Sequence, residues 1–189
     1  MASNPKTFLT PEQYLELEHK AEIRSEYFQG EVFAISGAQV SHNRIVTNLV
    51  GMLYQHFRRR PCHVYSHDMR VRVNATGLYT YPDVLVVCGE EQIQHAETDT
   101  LLNPTFIAEV LSPSTEAYDR GKKFDHYKPI ESLREYLLVA SDRVHADLFT
   151  RQPDGRWMLT SADGMESSLG IESIDCHIAI ADVYEKVDL

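Results

Sequence analysis

Apolar positions along this chain change their period several times, and each change marks an element. Thr10-Pro11-Glu12-Gln13 reads as a capping box with proline at the first helical position, followed by a helix over about 11–20 with Tyr14, Leu15 and Leu17 on its apolar side. Arg24–Phe28 and Val32–Ile35 flank Gln29-Gly30 as a tight hairpin, and Ser36-Gly37-Ala38 ends its second strand. Ile45, Leu49, Leu53 and Phe57 then recur every four residues, with Val46, Val50 and Met52 widening the stripe. This predicts a helix over about 42–59, capped by Ser41, packed on a sheet and stopped at Arg58-Arg59-Arg60-Pro61.

Period two takes over from His63 to Val73, with Asp68, Arg70 and Arg72 on one side and Met69, Val71 and Val73 on the other, and predicts one half-buried strand. Asn74–Gly77 is a turn, and 89–103 reads as a polar loop. Three runs are apolar on both faces and read as buried strands: Val84–Val87, Thr105–Leu111 and Glu135–Ala140. A helix over about 115–127 must end before Pro129. Arg143–Arg151 and Arg156–Thr160, joined across Pro153-Asp154-Gly155, form a hairpin; a short strand near 171–174 and a helix from about Ile180 complete the chain. No repeat, low-complexity segment or linker interrupts this order. The expectation is a single α/β domain over 1–189, with a central mixed sheet flanked by helices and added β-hairpins.

Composition changes this picture little: 43% hydrophobic and 24% charged residues are those of an ordinary globular protein. No apolar run is long enough to span a bilayer, and Met1–Lys6 lacks the apolar core of a signal peptide. Cys62, Cys88 and Cys176, odd in number and far apart, suggest no disulfide framework, so a reducing, cytoplasmic setting is the default. The net charge of -10 argues against a protein that coats nucleic acid by bulk electrostatics, though not against an enzyme acting on it locally through metal ions. Nine histidines show no zinc spacing.

The chemistry lies between Tyr79 and Tyr127. Glu109 interrupts an otherwise apolar strand, and a carboxylate there is costly to bury unless a positive charge meets it. Asp83 shares parity with Leu85 and Val87, and Glu109 with Ile107 and Leu111, so the two carboxylates converge if their strands are neighbours. Such oxygens suit Mg²⁺ or Mn²⁺, with the main-chain carbonyl of Val110 as a further ligand. Asp119, Lys123 and Tyr127 share one face of the following helix, from which a lysine can reach the strand end to orient an attacking water and offset charge on a phosphoryl group. Lys122 is the alternative if the helix phase differs by one residue.

Tyr-Pro-Asp-Val at 81–84, Glu-Val-Leu-Ser-Pro-Ser-Thr at 109–115, Asp119–Phe124 and Glu135-Tyr136, with Glu26–Glu31 and His42 upstream, resemble the Uma-two family of restriction-endonuclease-like proteins within the PD-(D/E)xK nuclease superfamily. The resemblance runs over nearly the whole chain. It implies a restriction-endonuclease-like fold, metal ligands at Asp83 and Glu109, a helix-borne lysine at Lys123 and an auxiliary acid, Glu26, with Glu31 its competitor. Leu111 stands where the superfamily pattern has its lysine, and the family resembles this chain in moving that lysine to the next helix. The implied activity is Mg²⁺-dependent hydrolysis of DNA phosphodiesters by a homodimer, with His42, Lys122 and Tyr127 as candidate substrate contacts.

Plainer readings stand beside these. Asp83 can cap its strand, Glu109 can pair with Arg70 or Arg72, Lys123 with Asp119 can be a solvated pair, His42 can complete a helix cap, and Tyr127 can simply pack. At the level of function the alternatives are a non-catalytic binding or assembly module, dimerising through a sheet edge or the Tyr136–Phe149 region, and a hydrolase of some smaller phosphate ester.

Overall fold

A computed structural model describes residues 8–35, 37–94 and 99–189 of the protein. The expectations for Met1–Lys6, for Ser36 and for the middle of the 89–103 loop lie outside the described residues. Helix α1 (Pro11–Lys20) opens on the capping box: Gln13 N–H donates to the Thr10 hydroxyl and the Gln13 side chain accepts from Thr10 N–H at 2.8 Å. Strands β1 (Ser25–Phe28) and β2 (Glu31–Ala34) form the hairpin. Gln29 and Gly30 both take positive φ, 48° and 89°, and a Cβ on Gly30 would stand 2.7 Å from the Phe8 ring, so only glycine fits there.

Helix α2 (Val40–Phe57) buries Ile45, Leu49, Leu53 and Phe57, as the four-residue stripe requires. Its N-cap is Gln39, without a side-chain bond, so Ser41 lies inside the first turn rather than capping it; the helix begins ahead of its apolar stripe. Next come β3 (Cys62–Ser66), β4 (Arg70–Val73), β5 (Leu78–Thr80), β6 (Val84–Cys88), β7 (Ile93–Gln94), β8 (Thr100–Leu101) and β9 (Phe106–Leu111). The helical segment that follows is built of α3 (Glu116–Tyr118), a π turn over Asp119–Lys123, and α4 (Phe124–Tyr127). Then follow β10 (Glu135–Ala140), β11 (His145–Arg151), β12 (Trp157–Asp163), β13 (Ser168–Ile171), a 3₁₀ turn at Glu172–Ile174, β14 (Cys176–Ala179) and α5 (Ile180–Val183).

The central sheet has the order β12-β11-β10-β9-β6-β3 and is mixed: β9 and β10 run parallel, joined by the helical segment, while its other neighbours are antiparallel. Three of its four interior strands are the three apolar runs, and β9 and β10 are buried at every position. On one face α2 and the C-terminal elements pack over Val84, Val86, Ala108, Val110, Leu137 and Val139. On the other, Leu85, Val87, Ile107, Leu111, Tyr136 and Leu138 meet Phe124, Tyr127 and Ile130, together with Val71, Val73, Leu78 and Leu101 of a second sheet. Fully burying one such side chain contributes about 1.5–3 kcal/mol, and these two layers hold the central strands rigid. The second sheet has the order β2-β1-β5-β4-β8-β7, and β13 pairs with β14.

Several expectations need correction. The alternating run 63–73 is two strands in different sheets: His67 and Asp68 form a turn, with Met69 N–H donating to the Ser66 carbonyl, and β3 pairs with β6 while β4 pairs with β5 and β8. A two-residue turn leaves period two unbroken, so the pattern cannot reveal it. Strand β5 and the short β7 and β8 are further elements, and in the tail the strand lies at Ser168–Ile171, with 172–174 a 3₁₀ turn. Cys62 and Cys88 form a disulfide. They are 26 residues apart in sequence but directly opposed on antiparallel β3 and β6, with Cα atoms 4.1 Å apart. The inference from unpaired cysteines to a reducing compartment loses its premise. Among the described residues no helix is long and apolar enough to cross a membrane. Tyr136 is wholly buried against Phe124 and Phe149, so it cannot serve as a dimer surface.

Candidate active site

The β6–β9 register pairs Val84 with Ala108 and Leu85 with Ile107, and one step further along this antiparallel ladder Asp83 faces Glu109. Pro82 takes the chain out of the ladder there, so β9 outruns its neighbour and its main chain is free to meet a side chain. Val110 N–H donates to Asp83 Oδ2 at 2.8 Å. Within a strand a residue's N–H and C=O point the same way, so the Val110 carbonyl is aimed at the same edge. His42, in the first turn of α2, brings Nε2 to 3.2 Å from Asp83 Oδ2; its buried Nδ1 has no hydrogen-bond partner among the described residues.

Lys123 arrives from the π turn. Its Nζ lies 2.9 Å from Glu109 Oε1, 3.5 Å from Glu26 Oε1 and 3.7 Å from Asp119 Oδ1, with 8% of the side chain exposed. A π turn is a wide, rare form that recurs at functional sites, and here it sits on the segment that aims the ammonium inward while Lys122 stays exposed. Tyr127, one turn on, donates its hydroxyl to Glu109 Oε1 at 2.9 Å, and Tyr136 donates to the Asp119 carbonyl at 3.1 Å. Glu26 is tied to the Thr80 hydroxyl, which follows from β1 and β5 being neighbours.

Asp83, Glu109, Lys123 and Glu26 therefore meet in one place, with His42 and Tyr127 in direct contact with them. Lys122 does not join them, Glu31 lies across the hairpin turn opposite Phe28, and Glu109 pairs with Lys123 rather than with Arg70 or Arg72. Thr80 was not foreseen, because nothing in a three-residue strand announces which acid it will hold. The packing reading of Tyr127 was half the answer: it is fully buried and also bonded to Glu109.

Three carboxylates lie between 2.9 and 3.7 Å from the Lys123 ammonium and Asp83 stands beside Glu109, so the site is short of positive charge. Burial pushes the Glu109 pKa up to about 8 against the pull of Lys123, with Asp83 and Asp119 raising it further. Burial likewise pushes Asp119 up. Burial works against Asp83 too, but the His42 bond and charge, Val110 N–H and Lys123 outweigh it and hold that carboxyl below its ordinary value. Burial disfavours the Lys123 ammonium, and Glu109, Tyr127, Glu26 and Asp119 reverse this to raise its pKa well above the usual value.

Among the described residues no group of three or more His, Cys, Asp or Glu side chains forms a ready-made metal cage. Mg²⁺ needs none, since one or two carboxylates completed by waters and substrate oxygens suffice, and the Asp83–Glu109 pair with the Val110 carbonyl matches that demand. The cluster forms the floor of a cleft of about 680 Å³ whose walls include Phe33, His67, Pro113 and Tyr118.

The family model described as "Putative restriction endonuclease", Uma2, matches residues 11–179. The chain belongs to the Uma2 family. Two Synechocystis relatives, both described as uncharacterised proteins, are 35% identical over 182 residues (96% of this chain, 94% of theirs) and 34% identical over 161 (85% and 91%). Among solved structures, one titled as a "putative nuclease belonging to DUF820" from Anabaena variabilis superposes with a TM-score of 0.74 at 19% identity, covering 93% of this chain and 97% of that one. At that identity the likeness establishes the fold alone, a mixed α/β architecture, and the Uma2 resemblance read from the motifs holds.

Proposed function

We propose that this Uma2 protein is a Mg²⁺-dependent endonuclease that hydrolyses DNA phosphodiesters, with Mn²⁺ able to substitute. The observation that carries the reading is Asp83 facing Glu109 across neighbouring strands, with the Lys123 ammonium 2.9 Å from Glu109, at the base of a cleft. Asp83, Glu109 and the Val110 carbonyl would hold the ion. Bound there, it supplies positive charge to a phosphoryl oxygen and lowers the pKa of a water.

The chain's own residues have separable tasks. His42 and Val110 N–H keep Asp83 ionised and fixed. Lys123, kept protonated by its acidic neighbours, orients the attacking water and offsets charge that builds on the phosphate. Glu26, anchored by Thr80, and Asp119 position that ammonium, so Glu26 acts on the water through Lys123. Tyr127 fixes the Glu109 carboxyl.

Cleavage of plasmid and single-stranded DNA with Mg²⁺ or Mn²⁺, wild type against Asp83→Ala, tests this. Metal-dependent cutting lost in the variant supports it. No cutting of any DNA defeats the enzymatic reading, and equal cutting by the variant defeats the site. Turnover of small phosphodiesters without any cleavage of DNA would move the substrate to a smaller ester. By analogy with the family a homodimer is the expected working form, and sedimentation at assay concentration measures it.

A further inference from the structure

The walls of the cleft are unlike a groove that grips nucleic acid by its phosphates. Among the described residues lining it, Lys123 is the one lysine or arginine, and its ammonium is already shared by Glu109, Glu26 and Asp119. Asp83 adds a fourth carboxylate. An anionic strand entering here gains almost nothing from ion pairing with the wall, so whatever retains it beyond the metal must come from another source.

Two aromatic rings stand where that source is needed. Phe33 lies directly opposite Glu26 in the β1–β2 ladder, so both side chains leave the same face of the sheet; Ile35 follows on that side. Phe33 is 48% exposed and stands on an edge strand. Tyr118, immediately before the π turn that carries Lys123, is 37% exposed and lines the same cleft. One ring therefore neighbours Glu26 in the ladder, the other precedes the Lys123 turn in sequence, and both line the cleft that holds the ion cluster. Scattered exposed apolar residues need no explanation, but two aromatics at the rim of one acidic cleft leave π-faces beside the point where a phosphodiester would sit.

We propose that Phe33 and Tyr118 form a stacking platform for unpaired bases on either side of the scissile phosphodiester, which makes single-stranded or locally unpaired DNA the substrate class. Bases paired in a duplex keep their faces stacked on one another and offer none to a side chain, whereas an unpaired strand presents one π-face per nucleotide and tolerates any sequence. Contacts of this kind also require no positive wall, which fits a chain of net charge -10.

The proposal rests on the nuclease reading only for where the phosphodiester lies, and its test is independent of cutting. The probe is a short oligodeoxynucleotide with methylphosphonate linkages, uncharged along its backbone, carrying one 2-aminopurine whose fluorescence reports stacking. Wild type is expected to bind this strand with a change in that fluorescence, and to bind its annealed duplex more weakly. Phe33→Ala and Tyr118→Ala are each expected to weaken binding by about 5- to 150-fold, the cost of one lost base–aromatic stack. Phe33→Leu keeps an apolar side chain without the ring and should lose binding as well, while Tyr118→Phe keeps the ring and should retain it. Wild type that fails to bind the strand, or Phe33→Leu and Tyr118→Ala variants that bind as wild type does, overturns the proposal. So does a dimer that dissociates on Phe33→Ala with strand binding unchanged, which would assign the β2 edge to a second copy. Metal-dependent cutting with intact binding in these variants would sink the platform and leave the nuclease; loss of binding in a protein that never cuts would do the reverse.

Discussion

Replacing the buried Glu109 with glutamine tests the electrostatics of the site directly. In metal-free buffer the folded carboxyl holds its proton up to about pH 8, because it is buried among other acids, against an ordinary value of 4.5. Across that window the folded state binds more protons than the unfolded state, so stability falls as pH rises. At 1.36 kcal/mol per pH unit, the loss between about pH 5 and about pH 8 is on the order of 4 kcal/mol. Glu109→Gln preserves the shape and can still accept from Tyr127, but it has no proton to lose, so its stability should fall less steeply with pH over the same range by the part Glu109 contributes. Urea unfolding of both proteins in EDTA at several pH values measures the difference. Curves that run parallel would refute the claim that a buried acid lacking counter-charge sits here. Added Mn²⁺ supplies that charge, so it should stabilise wild type most at the alkaline end and leave Glu109→Gln unmoved. Stabilisation of both alike would place the ion elsewhere.

Other perturbations read other parts of the molecule. Tyr127→Phe removes the 2.9 Å bond to Glu109 and should cost about 1–2 kcal/mol in urea unfolding, with the cleft still formed; no loss would mean the bond is not made in solution. Arg120→Ala leaves the nearly buried Asp147 to His145 and Ser161 alone and should cost about 1–3 kcal/mol, while also loosening the turn that aims Lys123; an unchanged urea midpoint would count against that network. Thiol titration of unfolded, unreduced protein should find one reactive cysteine, Cys176, and three after reduction; three from the outset would contradict the β3–β6 bond. Closing a loop of 26 residues, that bond should add about 3.5 kcal/mol, seen as a lower urea midpoint on reduction.

Local pattern was enough for the scaffold. The four-residue stripe of α2, the Thr10–Gln13 capping box, the Gln29-Gly30 turn and the three apolar runs of the central sheet each record a short-range constraint: helix period, an unsatisfied backbone group, a left-handed turn position, burial on both faces. The lone acid within β9 was legible for the same reason, since an isolated carboxylate in an apolar strand demands a partner wherever it folds.

Which partner it finds is a long-range matter. Asp83 faces Glu109 because β6 and β9 are antiparallel in one particular register, and a shift of one residue would send the two acids to opposite faces. Thr80 reaches Glu26 through a pairing between strands more than fifty residues apart, the turn at His67-Asp68 divides one alternating run between two sheets, and Cys62 meets Cys88 by the accident of being opposed in a ladder. Periodicity reports which side of an element is buried, but it carries no information about what lies across the gap. The sequence alone therefore determined the main helices, the central strands and the residues able to do chemistry here, while tertiary packing divided the remaining strands between sheets and decided which acids share one lysine.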